Sequence, residues 1–107
     1  MKLTYAFVDV AKLRDYALNP NHPEGRHKAR VFSASLGIDQ SNADWLAQAI
    51  LERLPEADAT PGLSDEYGMR YDLELMIRRG QRSAVVRTAW IIRSKEDFPR
   101  LTTCYVV

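Results

Sequence analysis

The feature that most constrains the fold is a change in the spacing of apolar residues partway along the chain. In the first half, apolar residues recur every three or four positions, which is typical of amphipathic helices. After a polar loop they alternate with polar residues, which is typical of half-buried strands. Helices followed by strands are expected when helices pack on one face of an antiparallel meander. We therefore predict one α+β domain over residues 1–107, with about three N-terminal helices followed by a three- to four-stranded antiparallel sheet.

Capping residues and helix breakers set the predicted helices. Asp9 is placed to cap the first, Gly37 suits a left-handed residue after the second, and Ser41 with Asp44 gives the third a start that resembles a capping box. The predicted bounds are Val10–Leu18, Glu24–Leu36, and a third helix from about Ser41 to Pro55.

The strands are predicted from alternation and turn residues. They are Met69–Ile77, Arg82–Arg93 and Arg100–Val107, with a weaker strand before Tyr67. Gly80 lies in a short turn between the first two, which predicts a hairpin. The centre of Arg82–Arg93 is apolar at positions of both faces, which predicts an interior strand covered on each side.

The charge balance gives little electrostatic signal overall. A net charge of +1 is weak for a nucleic-acid-binding domain. Between Met76 and Lys95, however, there are six basic residues and no acidic one: Arg78, Arg79, Arg82, Arg87, Arg93 and Lys95. This distribution fits a surface that faces phosphate, and equally a solvated strand edge that arginines protect from pairing.

Several classes of site and location are disfavoured by the sequence. The single cysteine, Cys104, lies in an apolar run and is predicted to be a buried thiol in a reducing, cytoplasmic compartment. The first residues lack a signal-peptide pattern, and no stretch approaches about eighteen apolar residues, so we expect no membrane association. Metal-ligand spacing and a glycine-rich phosphate loop are absent, so neither a metal nor a cofactor is predicted.

The first group of residues that could support catalysis is His22, His27 and Lys28. Histidine is suited to general acid–base catalysis, and lysine can stabilise charge on a phosphate in the transition state. The group lies at a turn and a helix start, where unpaired backbone amides favour an anion. The alternative is that all three are ordinary polar residues of a turn and a solvated helix.

The second group lies on the predicted strands. Arg87 interrupts an apolar strand, so it must be paired or face a cleft. A structural salt bridge to Asp72 or Glu74 is the alternative to a functional role, and Trp90 is expected in the core. On the last strand, threonine and tyrosine hydroxyls could bind phosphate oxygens, although both residue types are also simply good strand formers.

Four stretches of the chain resemble an uncharacterised bacterial domain family that occurs alone and in phage head-morphogenesis and polymorphic toxin proteins. The most specific is KLxxYxLNPxHPxGxHKARVF at residues 12–32. The others are DEYGxRY at 65–71, VRTAWIIR at 86–93 and PRLTTCYV at 99–106. The resemblance covers almost the whole chain from Lys12 onward.

The layout of that family is similar to the barnase, EndoU, colicin and RelE group of ribonucleases. This resemblance implies a metal-independent endoribonuclease toxin that cleaves RNA by 2′-hydroxyl attack on the adjacent phosphate. It implies RNA and an acidic antitoxin or immunity protein as partners. The catalytic residues would be His22 or His27 as base or acid, with Lys28 and Arg87 stabilising the phosphate. The substrate-binding residues would be Thr88, Thr103 and Tyr105.

The alternative function is a non-enzymatic interaction module, either an immunity protein or a phage-associated binding domain. The direction of Arg87 separates the two hypotheses. Convergence of Arg87 with Lys28 and a histidine in one cleft favours the enzyme, whereas a salt bridge on the far face favours the module. A free last strand would also allow a dimer by pairing across a two-fold axis.

Overall fold

A computed structural model describes residues 2–3 and 5–107 and confirms the α+β prediction. Within those residues, three helical segments precede a four-stranded antiparallel sheet with the strand order β1-β2-β3-β4. The helices are α1, which begins at Val10–Lys12 and continues with π-helical geometry as Leu13–Ala17, α2 at Arg26–Leu36 and α3 at Ala43–Arg53. The 3₁₀ turns are Gln40–Asn42 and Leu54–Glu56. The strands are β1 Thr60–Asp65, β2 Gly68–Arg79, β3 Arg82–Arg93 and β4 Pro99–Val106.

The first helix begins and the second helix ends at the residues that the sequence predicts. The carboxylate of Asp9 accepts the backbone N–H of Ala11 at 3.0 Å, as expected of a capping residue. Gly37 ends α2 with φ 67°, a left-handed conformation that glycine adopts without a Cβ clash. None of the described helices is long and apolar enough to cross a membrane.

The predicted capping residue of the third helix is wrong by two residues. Asp39, not Ser41, is the capping residue, and its Oδ1 accepts the Ser41 N–H at 2.9 Å. The side-chain oxygen of Asn42 in turn accepts the Asp39 N–H at 2.9 Å, which completes a capping box. The chain therefore leaves its extended conformation at Asp39 and makes a 3₁₀ turn before α3 begins.

The core lies between the helices and one face of the sheet. On β2 the alternation buries Tyr71, Leu73, Leu75 and Ile77 as predicted and leaves the residues between them, Met76 included, exposed. Met69, which is predicted on the inward side, is half-exposed. Fully or nearly fully buried residues of the core include Leu13, Phe32, Leu36, Leu46, Ile50, Leu73, Leu75, Ile77, Val86, Trp90 and Cys104.

Strand β3 lies between β2 and β4, so the prediction of an interior strand is confirmed. Its helix-facing side is buried at Val86, Thr88 and Trp90, and Trp90 is a core residue as expected. The opposite side carries an exposed Arg87, so the expectation of cover on both sides is wrong for this part of the strand. Ile91, four residues along the same side, is buried, so the open part of this face lies around Arg87.

We expect the thiol of Cys104 to be unreactive in the native protein. Burial raises its pKa to about 12, and only the thiolate reacts with alkylating reagents. Native protein at pH 8 should therefore resist iodoacetamide, whereas protein unfolded in guanidinium chloride should be labelled, as read by mass spectrometry. Rapid stoichiometric labelling of the native protein would contradict this burial.

Candidate functional site

The loop before α2 holds His22 in one orientation. Its Nδ1 accepts the backbone N–H groups of Glu24 at 3.0 Å and Gly25 at 2.9 Å. The imidazole packs edge-on against Tyr16, with 4.7 Å between ring centroids. Because Nδ1 accepts two hydrogen bonds, the ring N–H lies at Nε2, where the imidazole can act as a donor.

Gly25 lets this loop lie directly on the backbone of α1. A Cβ at this position would overlap the carbonyl oxygen of Tyr16. The glycine in the first sequence motif is therefore explained by a close backbone approach, and its φ of −77° is one that any residue adopts.

Lys28 connects α2 to strand β4. Its ammonium group donates to Tyr16 Oη at 2.9 Å and to Thr103 Oγ1 at 3.3 Å, and it lies 4.6 Å from the centroid of the Tyr16 ring. An ammonium group has three N–H donors. With two of them used among the described residues, one remains for a bound anion.

Arg87 lies in a row of three functional groups that crosses the open face of the sheet. Glu74, Arg87 and Tyr105 are directly opposite one another on β2, β3 and β4, and we call them the cross-strand row. The guanidinium donates to Glu74 Oε2 at 3.0 Å and to Tyr105 Oη at 3.4 Å. These hydrogen bonds, that with Glu74 first, raise the pKa of Arg87 above its ordinary value, so the group is a permanent cation.

The contacts of Lys28 and Arg87 lie at neighbouring positions on one strand. Lys28 contacts Thr103, whereas Arg87 contacts Tyr105, two residues further along β4. Residues two apart in a strand point to the same side and are separated by roughly 7 Å, at about 3.3 Å per residue. Thr102, just before them, lies where the register shifts and donates to Ala89 O at 3.0 Å. The cluster of Lys28, Tyr16 and Thr103 is thus adjacent to the cross-strand row but separate from it.

Two of the predicted site residues lie away from these clusters. His27 is exposed on α2, and its Nδ1 lies 3.2 Å from Arg30 Nη2. Thr88 does not meet the expectation of a substrate-binding residue, because it is fully buried. Its hydroxyl donates to Leu73 O at 2.9 Å and accepts the Trp90 Nε1–H at 2.8 Å. The hydroxyl is therefore used inside the core both as a donor and as an acceptor.

The predicted single cleft is therefore not formed. Arg87 is paired with Glu74 on the sheet face away from the helices, which is the arrangement that favours the interaction module. Lys28 and His22 both contact Tyr16, which joins them.

Sequence reasoning missed Glu74 and Tyr16 as parts of the site. The sequence indicates Glu74 only as a structural partner of Arg87, and Tyr16 only as part of a helix face and of the first motif. The outward position of Glu74 in the alternation of β2 was a usable signal, but its place opposite Arg87 depends on the sheet register. In the part of the chain that the structure describes, no three His, Cys, Asp or Glu side chains form a group that could hold a metal ion.

Comparison with known protein families identifies the family of the chain. A family model described as Domain of unknown function (DUF6883) matches residues 2–107. The chain belongs to this family. This confirms the prediction of an uncharacterised domain family, while the ribonuclease-like, toxin and phage associations stay predictions. No curated protein and no solved structure matches the chain.

Proposed function

We propose that this DUF6883 domain is a metal-independent endoribonuclease of the toxin kind. The observation that carries the proposal is the cross-strand row, in which a carboxylate, a guanidinium and a phenol lie side by side on an open sheet face. Cleavage of RNA by its own 2′-hydroxyl needs a base, a cation for the phosphate and a proton for the leaving oxygen. The row contains one group for each task.

The reaction assigns one step to each member of the row. Glu74 accepts the proton of the 2′-hydroxyl as its oxygen attacks phosphorus. Arg87 binds the non-bridging oxygens, whose charge grows as the new 2′-O–P bond forms and the P–O5′ bond breaks. Tyr105 gives its hydroxyl proton to the departing 5′-oxygen. After cleavage Glu74 releases its proton to solvent and Tyr105 recovers one from solvent. The products are a 2′,3′-cyclic phosphate and a 5′-hydroxyl.

Lys28 and His22 serve the neighbouring phosphate in this scheme. Lys28 has a remaining donor next to Thr103, two residues along β4 from Tyr105 of the row. His22, which packs against Tyr16, offers Nε2–H, so in this scheme it acts as a donor and leaves the role of base to Glu74. This differs from the sequence-based assignment, in which a histidine was the base or acid.

The ion pair between Glu74 and Arg87 is compatible with a working site. Its side chains are 41% and 45% exposed, and exposed ion pairs contribute little to folding stability. A substrate phosphate can therefore replace the carboxylate on Arg87 and leave Glu74 beside the 2′-hydroxyl. The modest net charge of +1 fits a selective toxin that an acidic antitoxin or immunity protein holds.

The second candidate is a non-enzymatic interaction module. It is favoured by the position of Arg87, which is salt-bridged on the face away from the helices. In that case the open sheet face binds a partner protein, and Arg87 contributes to binding affinity and not to catalysis.

Incubation with total bacterial RNA in EDTA distinguishes these two candidates. The wild type should produce defined fragments, and Arg87→Gln should not, because the cation that stabilises the phosphate is lost. Arg78→Gln is the matched control, since Arg78 is an exposed arginine elsewhere on the sheet, in β2. If folded wild type, confirmed by circular dichroism, leaves the RNA intact, the interaction module replaces the enzyme.

A further inference from the structure

An open cavity lies near the beginning of β4. It has a volume of about 420 Å³ and is lined by Tyr5, Ala6, Phe7, Asp97 and Phe98. This volume is within the usual range for small-ligand sites, roughly 300–1,000 Å³. Because the cavity holds none of the groups assigned to cleavage, its role must be considered separately.

The backbone of β4 fixes one wall of this cavity. Phe7 donates its N–H to Pro99 O at 2.9 Å and accepts the Leu101 N–H at 3.0 Å. These bonds make a short parallel bridge between Phe7 and Arg100. The aromatic ring of Phe7 is therefore anchored to the sheet.

The walls are aromatic and strongly exposed. Tyr5 is 85% and Phe7 44% exposed. The Arg100 guanidinium lies 5.0 Å from the Phe7 ring centroid and 4.9 Å from that of Phe98. Such cation–π contacts orient rings whose faces would otherwise be free to rotate. These contacts orient Phe7 and Phe98, and the aromatic surface that they form with Tyr5 remains open to solvent.

The charge of Arg100 is already compensated. Glu96 accepts two hydrogen bonds from its guanidinium, at 2.8 and 2.7 Å. The hydrogen bond from Arg100 lowers the pKa of Glu96, so the carboxylate is ionised at neutral pH. Since the pair is close to neutral and Asp97 adds a negative charge, the cavity does not suit a phosphate. A flat, uncharged aromatic ligand with hydrogen-bond donors at its edge suits it better.

Arg100, whose guanidinium contacts two aromatic rings of the cavity, lies on β4, the strand that carries Tyr105 of the cross-strand row. Arg100 is opposite Ile91 on β3, four residues from Arg87 and on the same face. The separation along the strand is about 13 Å at about 3.3 Å per residue. A short oligonucleotide bound through a phosphate on Arg87 can thus bring a base to this cavity.

We propose that this aromatic cavity is a base-stacking subsite for single-stranded RNA, an inference that rests on the proposed ribonuclease function. A base would stack on Tyr5 or Phe98, which is the usual means of holding unpaired bases. Asp97 would accept a hydrogen bond from an amino or imino group at the base edge.

The test measures binding of a fluorescent 2′-O-methyl RNA oligonucleotide, which cannot undergo 2′-hydroxyl attack, beside the same strand with abasic positions. Tyr5→Ala with Phe98→Leu should weaken binding of the intact strand about tenfold and leave the abasic strand unchanged, because only stacking is lost. Leu63→Ala is the control, since Leu63 is an 81% exposed apolar residue on β1 at the opposite edge of the sheet.

The outcomes separate this subsite from the cleavage chemistry. Base-dependent binding that the double variant removes supports the subsite, even if the wild type cleaves no RNA. Equal effects on intact and abasic strands, or unchanged binding in a variant whose fold is confirmed by circular dichroism, would overturn it. Cleavage of ordinary RNA by the double variant at the wild-type KM would overturn it as well, while leaving the ribonuclease proposal in place.

Discussion

Glu74→Gln is expected to lower the rate of RNA cleavage by on the order of 10²–10⁴-fold, the usual contribution of a general base. Glutamine has the shape of glutamate but cannot accept the proton of the 2′-hydroxyl. Glu74 is exposed on β2 and accepts a hydrogen bond from Arg87. Because an exposed ion pair contributes little to folding stability, the fold should be unaffected. The measurement is kcat on a fluorogenic RNA oligonucleotide in EDTA, with circular dichroism as the check on folding.

Asp72→Asn is the matched control for this prediction. Asp72 is an exposed carboxylate two residues earlier on the same face of β2, and it is opposite Ala89 instead of Arg87. We expect its kcat to stay within about twofold of the wild type, since it is outside the row. Full activity in Glu74→Gln, or a larger loss in Asp72→Asn, would show that the base has been misassigned.

Gly25→Ala is expected to lower the free energy of unfolding by about 1–3 kcal/mol, the usual cost of an added carbon in a tightly packed position. The new Cβ would overlap the carbonyl oxygen of Tyr16, a backbone atom that cannot rotate away. The loop must then move, and His22, whose Nδ1 is bonded to the Gly25 N–H, moves with it. Urea unfolding followed by tryptophan fluorescence measures the change.

Gly62→Ala is the control for added Cβ atoms. A Cβ at Gly62, on exposed β1, would meet Arg70 atoms at 3.5 Å or more, which is ordinary contact distance. Its free energy of unfolding should therefore change by only a few tenths of a kcal/mol. If Gly25→Ala is as stable as Gly62→Ala, the close approach of the loop to α1 is wrong.

The sequence was most informative about elements whose signals are local. Capping by Asp9, the left-handed Gly37 and the alternation along β2 each depend on a few neighbouring residues, and each is found in the structure. The start of α3 was misplaced because Asp39 and Ser41 are both good capping residues, and local pattern does not rank them.

The candidate site depends on contacts that local pattern does not encode. A shift of one residue between β2 and β3 would move Glu74 away from Arg87 and reverse the faces of the strand. The bond between Lys28 and Thr103 joins residues 75 positions apart. The family resemblance implies a substrate-binding role for Thr88, whereas its side chain points to the helices and its hydroxyl accepts a hydrogen bond from Trp90.

The most direct test of the proposed chemistry changes a single atom of the substrate. An RNA oligonucleotide with one preferred cleavage position is compared, in EDTA, with the same strand carrying a 2′-deoxy sugar at that position. We predict that only the ribose strand is cleaved, and that its products end in a 2′,3′-cyclic phosphate and a 5′-hydroxyl. Equal cleavage of both strands, or no cleavage of either by the folded protein, would contradict a ribonuclease that uses the 2′-hydroxyl as its nucleophile.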